Sequence, residues 1–118
     1  MMTTKDALFS AAKRVKRTSV NVSAFMPDVT VCVKVLTGTE LDKYTESVRQ
    51  AQETKQYVRS QATLVALAIC DGDGNPLATL DDVPHICDWN GKLLEKLFSE
   101  AFALNRIGAD EIEAAEKN

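Results

Sequence analysis

A chain of 118 residues with 45% hydrophobic and 26% charged side chains suits one domain, residues 1–118, able to bury a core without metal or disulfide. Its net charge of −3, from 14 basic and 17 acidic residues, argues against general nucleic-acid binding, which needs a basic excess. No run of about eighteen apolar residues exists to span a membrane, and Met1 to Arg17 holds no apolar secretory core, so a cytoplasmic protein is expected.

From the start, Thr3 and Asp6 have the spacing of a helix cap, and Ala7, Leu8, Ala11, Ala12 and Val15 follow at helical spacing. A short amphipathic helix ending near Val15 is predicted. Val20 and Val22 then alternate with polar residues, Met26-Pro27-Asp28 interrupts, and Val29, Val31, Val33 and Val35 alternate with Thr30, Cys32 and Lys34. Period two with β-branched residues predicts a hairpin, strands at about 18–24 and 29–36 with the turn near Pro27, and the valine row facing the core.

Thr37 with Glu40, or Thr39 with Asp42, can cap the next helix, which carries Leu41, Tyr44 and Val48 on one face. Residues 50–56 are polar and read as loop or exposed helix. Residues 55–64 read as a helix running into a strand at 64–70, with a continuous helix to Cys70 as the competing reading. The turn Asp71-Gly72-Asp73-Gly74-Asn75-Pro76 and the segment Leu77 to Leu80 look like the bend and return limb of a second hairpin. Asp81 can cap a short helix from 82 to about 88, which Trp89-Asn90-Gly91 breaks. Leu93, Leu94, Leu97, Phe98, Ala101, Phe102 and Leu104 form a wide apolar stripe over a helix at about 91–105. Gly108 is its expected stop, and Asp110 with Glu113 would open a last short helix carrying Ile112. The fold class is α+β: small antiparallel β-hairpins packed with several amphipathic helices, the C-terminal half mainly helical.

No constellation of catalytic residues emerges. Asp71 to Asn75 resembles a calcium loop, but Pro76 stands where an EF-hand needs glycine and Asp82 where it needs a bidentate glutamate. His85, the single histidine, lies two residues from Cys87; with Cys70 it supplies too few close ligands for structural zinc and no oriented nucleophile–base pair. A core or partly buried role is the expectation for His85 and Cys87. Cys32, Cys70 and Cys87 are odd in number and widely spaced, as free thiols in a reducing compartment are. Charge is uneven: Lys13, Arg14, Lys16 and Arg17 are basic, while Asp110, Glu111, Glu113 and Glu116 are acidic. Solvated surface is the plain explanation; two differently charged docking faces is the sharper one.

The order of these segments resembles one family. The valine hairpin with Thr37-Gly38-Thr39-Glu40-Leu41-Asp42, the Ala68-to-Leu77 turn with its Asp-Gly-Asn-Pro-Leu ending, Asp81-Asp82-Val83, Leu104-Asn105 and the terminal Glu116-Lys117-Asn118 are similar to the tail assembly chaperones of long-tailed (siphovirus-type) bacteriophages. The likeness covers residues 18–118; Arg106-Ile107-Gly108 departs from the family pattern, and residues 50–60 match nothing in it. It implies a non-enzymatic protein without cofactor or metal that holds the tape-measure protein during tail assembly. The major tail tube protein is recruited in turn, and the chaperone is absent from the finished virion. The alternative is a structural tail or neck component of the particle. A homo-oligomer is compatible with either; nucleic acid and membrane are not expected partners. Phe98, Phe102, Leu104 and Ile107 are the candidate partner-binding residues. Family members are often made in a second, longer form by programmed frameshift, and Glu116-Lys117-Asn118 can be encoded GAA-AAA-AAC, which contains the slippery run A-AAA-AAC. Codons that interrupt the adenines would exclude a frameshift there.

Overall fold

The computed structural model describes the backbone of residues 2–12 and 16–117 and the side chains of those residues up to Arg106. Val15, Lys13 and Arg14 lie outside the described residues, as do the side chains of Ile107, Asp110, Glu111, Ile112, Glu113 and Glu116. Five helices and three strands follow in the order α1 (Thr4–Ala12), β1 (Arg17–Val20), β2 (Val31–Lys34), α2 (Gly38–Thr54), α3 (Tyr57–Ala68), β3 (Ile69–Cys70), α4 (Val83–Cys87) and α5 (Gly91–Lys117). The expected α+β class with a helical C-terminal half is what the chain adopts.

Helix α1 is capped as its sequence predicts: Thr3 Oγ1 accepts from the Asp6 N–H at 3.0 Å, and Asp6 Oδ2 accepts from the Thr3 N–H at 3.2 Å. Its apolar side buries nothing, however. No α1 residue is buried, and Leu8 and Phe9 remain more than half exposed.

The first hairpin is antiparallel, with Val20 opposite Val31 and Arg17 opposite Lys34. Both strands are shorter than the alternation predicts. The Val22 C=O accepts from the Phe25 and Met26 N–H groups at 2.9 and 2.8 Å, so the chain turns before Pro27 and the ladder stops. Val20, Val22, Val31 and Val33 join the core as expected, but Val29 (51% exposed) and Val35 (38%) do not. They stand at the two ends of the row, beyond the paired segment. The strand order is β1-β2-β3, so β2 is central, and Cys32 on its other face is buried as well.

Helix α2 starts from a complete capping box: Thr37 Oγ1 accepts from the Glu40 N–H, and Glu40 Oε1 from the Thr37 N–H. Of the two spacings in the sequence, Thr37 with Glu40 is the one used. Lys34 Nζ adds a bond of 3.0 Å to each Glu40 oxygen, tying the helix start to β2. Residues 50–54 are helical, and Lys55 ends α2 in the left-handed conformation (φ 63°).

Helix α3 extends to Ala68, four residues past the expected strand start, and only Ile69 and Cys70 are extended. Ala62, Leu64, Val65, Ala66 and Ala68 are all buried, since α2, α4 and α5 pack around this helix. From Ala62 on, where the helix is enclosed, no amphipathic period distinguishes it from a strand. β3 pairs with β2, and on its other edge the expected return limb meets it at one bridge, Cys70 with Pro76, flanked by the Leu77 N–H bond to the Ile69 C=O and the Asp71 N–H bond to the Asn75 C=O. α3 runs up to Ala68, so no longer strand stands opposite Leu77–Leu80, and Thr79 already begins the next turn.

That turn corrects the Asp81 cap. Thr79, not Asp81, caps a 3₁₀ turn over Leu80–Asp82 that leads into α4: its Oγ1 accepts from the Asp81 N–H at 3.3 Å, and Asp82 Oδ2 accepts from the Thr79 N–H at 2.8 Å. α5 begins after Asn90, whose Oδ1 accepts from the Lys92 N–H at 2.9 Å, and it continues through Gly108 to Lys117 as one helix. Gly108 is therefore not a stop, and no separate helix opens at Asp110.

Candidate functional site

The acidic turn is closed on itself. Asp71 Oδ1 accepts from the Asp73 and Asn75 N–H groups at 2.9 and 3.0 Å, and Oδ2 from Asn75 Nδ2 at 3.2 Å. Gly74 takes φ +88°, and Arg17 Nε donates to the Gly72 C=O at 3.0 Å, fixing the turn against β1. The carboxylate is thus consumed by its own loop, as an Asx-type turn requires. Among the described residues, no group of three or more His, Cys, Asp or Glu side chains could hold a metal ion.

The Asn75 backbone N–H, with its side chain and the neighbouring amides, holds the Asp71 carboxyl below the usual carboxylate range. At Glu40, burial pushes the other way, but the Thr37 N–H and Lys34 outweigh it and the net value is also lowered. A lowered folded value stabilises the fold above the unfolded value of about 3.9–4.3 and is lost as pH falls through the folded one. The thermal midpoint is therefore expected to drop between about pH 5 and pH 3, less steeply in Asp71→Asn and Glu40→Gln variants. Scanning calorimetry across that range checks the sign.

His85 and Cys87 do not meet as a pair. His85 is exposed on α4, which corrects the expectation of a core or partly buried histidine; Cys87 is half-buried, and Cys70 is buried in β3. Residues two apart on a helix point roughly 200° apart, which separates the imidazole from the thiol.

The candidate binding residues on α5 divide between two surroundings. Phe98 and Phe102 are partly buried and stacked, ring centroids 5.6 Å apart and planes 20° apart. The Arg106 guanidinium lies 5.1 Å over the Phe102 ring. Phe102 borders a cavity of about 200 Å³ with Leu41, Tyr44 and Leu64. Leu104 instead borders an opening beside Arg17, Thr18 and Glu100, and the Ile107 side chain lies outside the described residues.

Asn105, next in sequence, has a structural task. Its Oδ1 accepts from the Leu36 N–H at 2.8 Å, while Nδ2 donates to the C=O groups of Ala101 (2.8 Å) and Lys34 (3.3 Å). These bonds hold α5 to the end of β2. Asn105→Ala is expected to cost about 1–3 kcal/mol, because it strands a partly buried N–H and C=O. Asn105→Asp should restore little, since a carboxylate offers no N–H to the two carbonyls. Urea unfolding of both variants is the measurement.

A feature absent from the sequence reading is an apolar groove of about 430 Å³ between the 21–30 loop, Leu77 and the start of α5. Met26, Val29, Leu77, Trp89, Leu93 and Leu97 line it. Val29 and Leu77 are half exposed and Trp89 is 37% exposed, so apolar side chains of the groove face solvent. Its lining comes from four separated segments, and no spacing in the sequence links them.

No family model and no curated protein sequence matches the chain. Among solved structures, the tail assembly chaperone of bacteriophage HK97 superposes with a TM-score of 0.65 at 18% identity, over 83% of this chain and 96% of that one. The fold is that of a phage tail assembly chaperone. The superposition covers most of both chains, so the likeness is to the fold as a whole. At this identity the correspondence concerns the fold alone. No helix among the described residues is long and apolar enough to cross a membrane.

Proposed function

We propose that this chain is a non-catalytic tail assembly chaperone, one domain over residues 1–118, acting in the cytoplasm of a bacterial host and left out of the finished virion. It binds the tape-measure protein, keeps it from aggregating, and helps recruit major tail tube subunits. The superposition on the HK97 chaperone carries this reading. The exposed apolar groove supports it: a holdase needs accessible apolar surface for weak, repeated contacts, and preferential binding keeps the client from aggregating by mass action.

In this reading the groove takes apolar segments of the client, and Phe98, Phe102, Leu104 and Ile107 of α5 supply further contacts. Phe102→Asp should weaken client retention while leaving the circular dichroism spectrum unchanged. A longer product made by frameshifting at Glu116-Lys117-Asn118 would carry the tube-recruiting extension.

The decisive experiment is a pull-down with an N-terminally tagged chain expressed with its neighbouring genes, read by mass spectrometry. Recovery of a very long helical protein, with the tag absent from purified particles, is the expected result. A tag retained in finished particles would identify a structural tail or neck component instead.

A further inference from the structure

The sheet register sets Cys32 of β2 directly opposite Cys70 of β3. Residues paired across antiparallel strands project from the same face. Both thiols are free and buried, Cys32 at 5% exposure and Cys70 at 0%. The surrounding hydrogen bonds define the kind of pair. The Asp71 N–H donates to the Asn75 C=O at 3.0 Å and the Leu77 N–H to the Ile69 C=O at 3.2 Å. Cys70, between them, therefore turns its own N–H and C=O the other way, toward β2. Cys32 and Cys70 are a hydrogen-bonded pair, whose α-carbons stand about 5.5 Å apart. Disulfides span about 4.4–6.8 Å between α-carbons.

We infer that Cys32 and Cys70 form an oxidisable dithiol that closes to an intramolecular disulfide when a peroxide reaches the sheet. The Cys32 thiolate attacks one peroxide oxygen, the O–O bond breaks, and Cys32 becomes a sulfenic acid as hydroxide leaves. The Cys70 thiolate then attacks Cys32 Sγ; the S–S bond forms, the S–O bond breaks, and a second hydroxide leaves. With the two thiol protons these become two waters, so two sulfurs are oxidised by one electron each and one peroxide is reduced. Cys32 reacts first because it is the more accessible; burial pushes the Cys70 thiol up, and the adjacent Cys32 adds to this.

The bond joins the strand before α2 to the strand after α3, closing β2, α2, α3 and β3 into a ring. A hydrogen-bonded pair holds its β-carbons farther apart than a relaxed disulfide does. The bond is consequently strained and readily reduced, as labile, reversible disulfides are.

The test treats the reduced full chain with hydrogen peroxide, alkylates it under denaturing conditions and maps the peptides by mass spectrometry. The expected result is alkylation at Cys87 alone, a peptide linking Cys32 to Cys70, and full reversal by dithiothreitol. A Cys87→Ser variant should give the same link, and Cys70→Ser should stop at a Cys32 sulfenic acid trapped by dimedone. If Cys70→Ser fails to fold, the map of the unaltered chain decides alone. Three alkylatable thiols after treatment, a link through Cys87, or overoxidation of Cys32 and Cys70 without a link would each overturn the inference.

Discussion

A Leu77→Asp variant is expected to lose retention of tape-measure protein by tenfold or more, roughly 1.4 kcal/mol, while keeping the thermal midpoint of the unaltered chain. Leu77 is half exposed and lines the apolar groove together with Trp89 and Leu93. Its backbone N–H, the group that bonds Ile69, survives the substitution. A carboxylate there would have to shed water when an apolar client covers it, and burying an unpaired charge is among the costliest changes an interface can suffer. Val29→Asp, in the same groove, should act in the same direction. The measurement is co-purification of client with each variant, beside a melting curve. Unchanged retention in both variants would remove the groove from the binding surface and leave the α5 residues as the contact.

The largest effect on stability is expected from Leu64→Ala, about 2–5 kcal/mol. Leu64 is 1% exposed at the centre of α3, the helix around which α2, α4 and α5 pack. It also borders the small cavity beneath Phe102, so truncation enlarges an existing void that its rigid neighbours cannot refill. With whole-domain stabilities of about 5–15 kcal/mol, one such change can unfold a large fraction of the protein. Val29→Ala is the control: the same kind of truncation at a half-exposed position should stay within about 0.5 kcal/mol. Urea denaturation with a common slope measures both.

Groups that satisfy one another within a few residues were legible in the chain itself. The Thr3–Asp6 and Thr37–Glu40 caps, the Asp71 turn, the break at Trp89-Asn90-Gly91 and the α5 stripe each rest on contacts between near neighbours, so residue type and spacing suffice. The four buried valines of the first hairpin and its turn, Val20, Val22, Val31 and Val33, follow from strand alternation in the same way. Everything that depended on what covers a segment had to wait for the tertiary structure. α1 repeats apolar residues at helical spacing, yet among the described residues none of its side chains is buried, and Leu8 and Phe9 stay more than half exposed. The second half of α3, from Ala62 to Ala68, is enclosed, which erased the period that separates helix from strand. β3 joined β2 across the whole α2–α3 excursion and met its sequence neighbour at one bridge alone, and only the pairing with β2 brings Cys32 to Cys70. The groove is the same case: Met26, Val29, Leu77, Trp89 and Leu93 are distant in sequence, and a surface shared by such residues exists only once the packing of helices on the sheet has determined which apolar side chains are left uncovered.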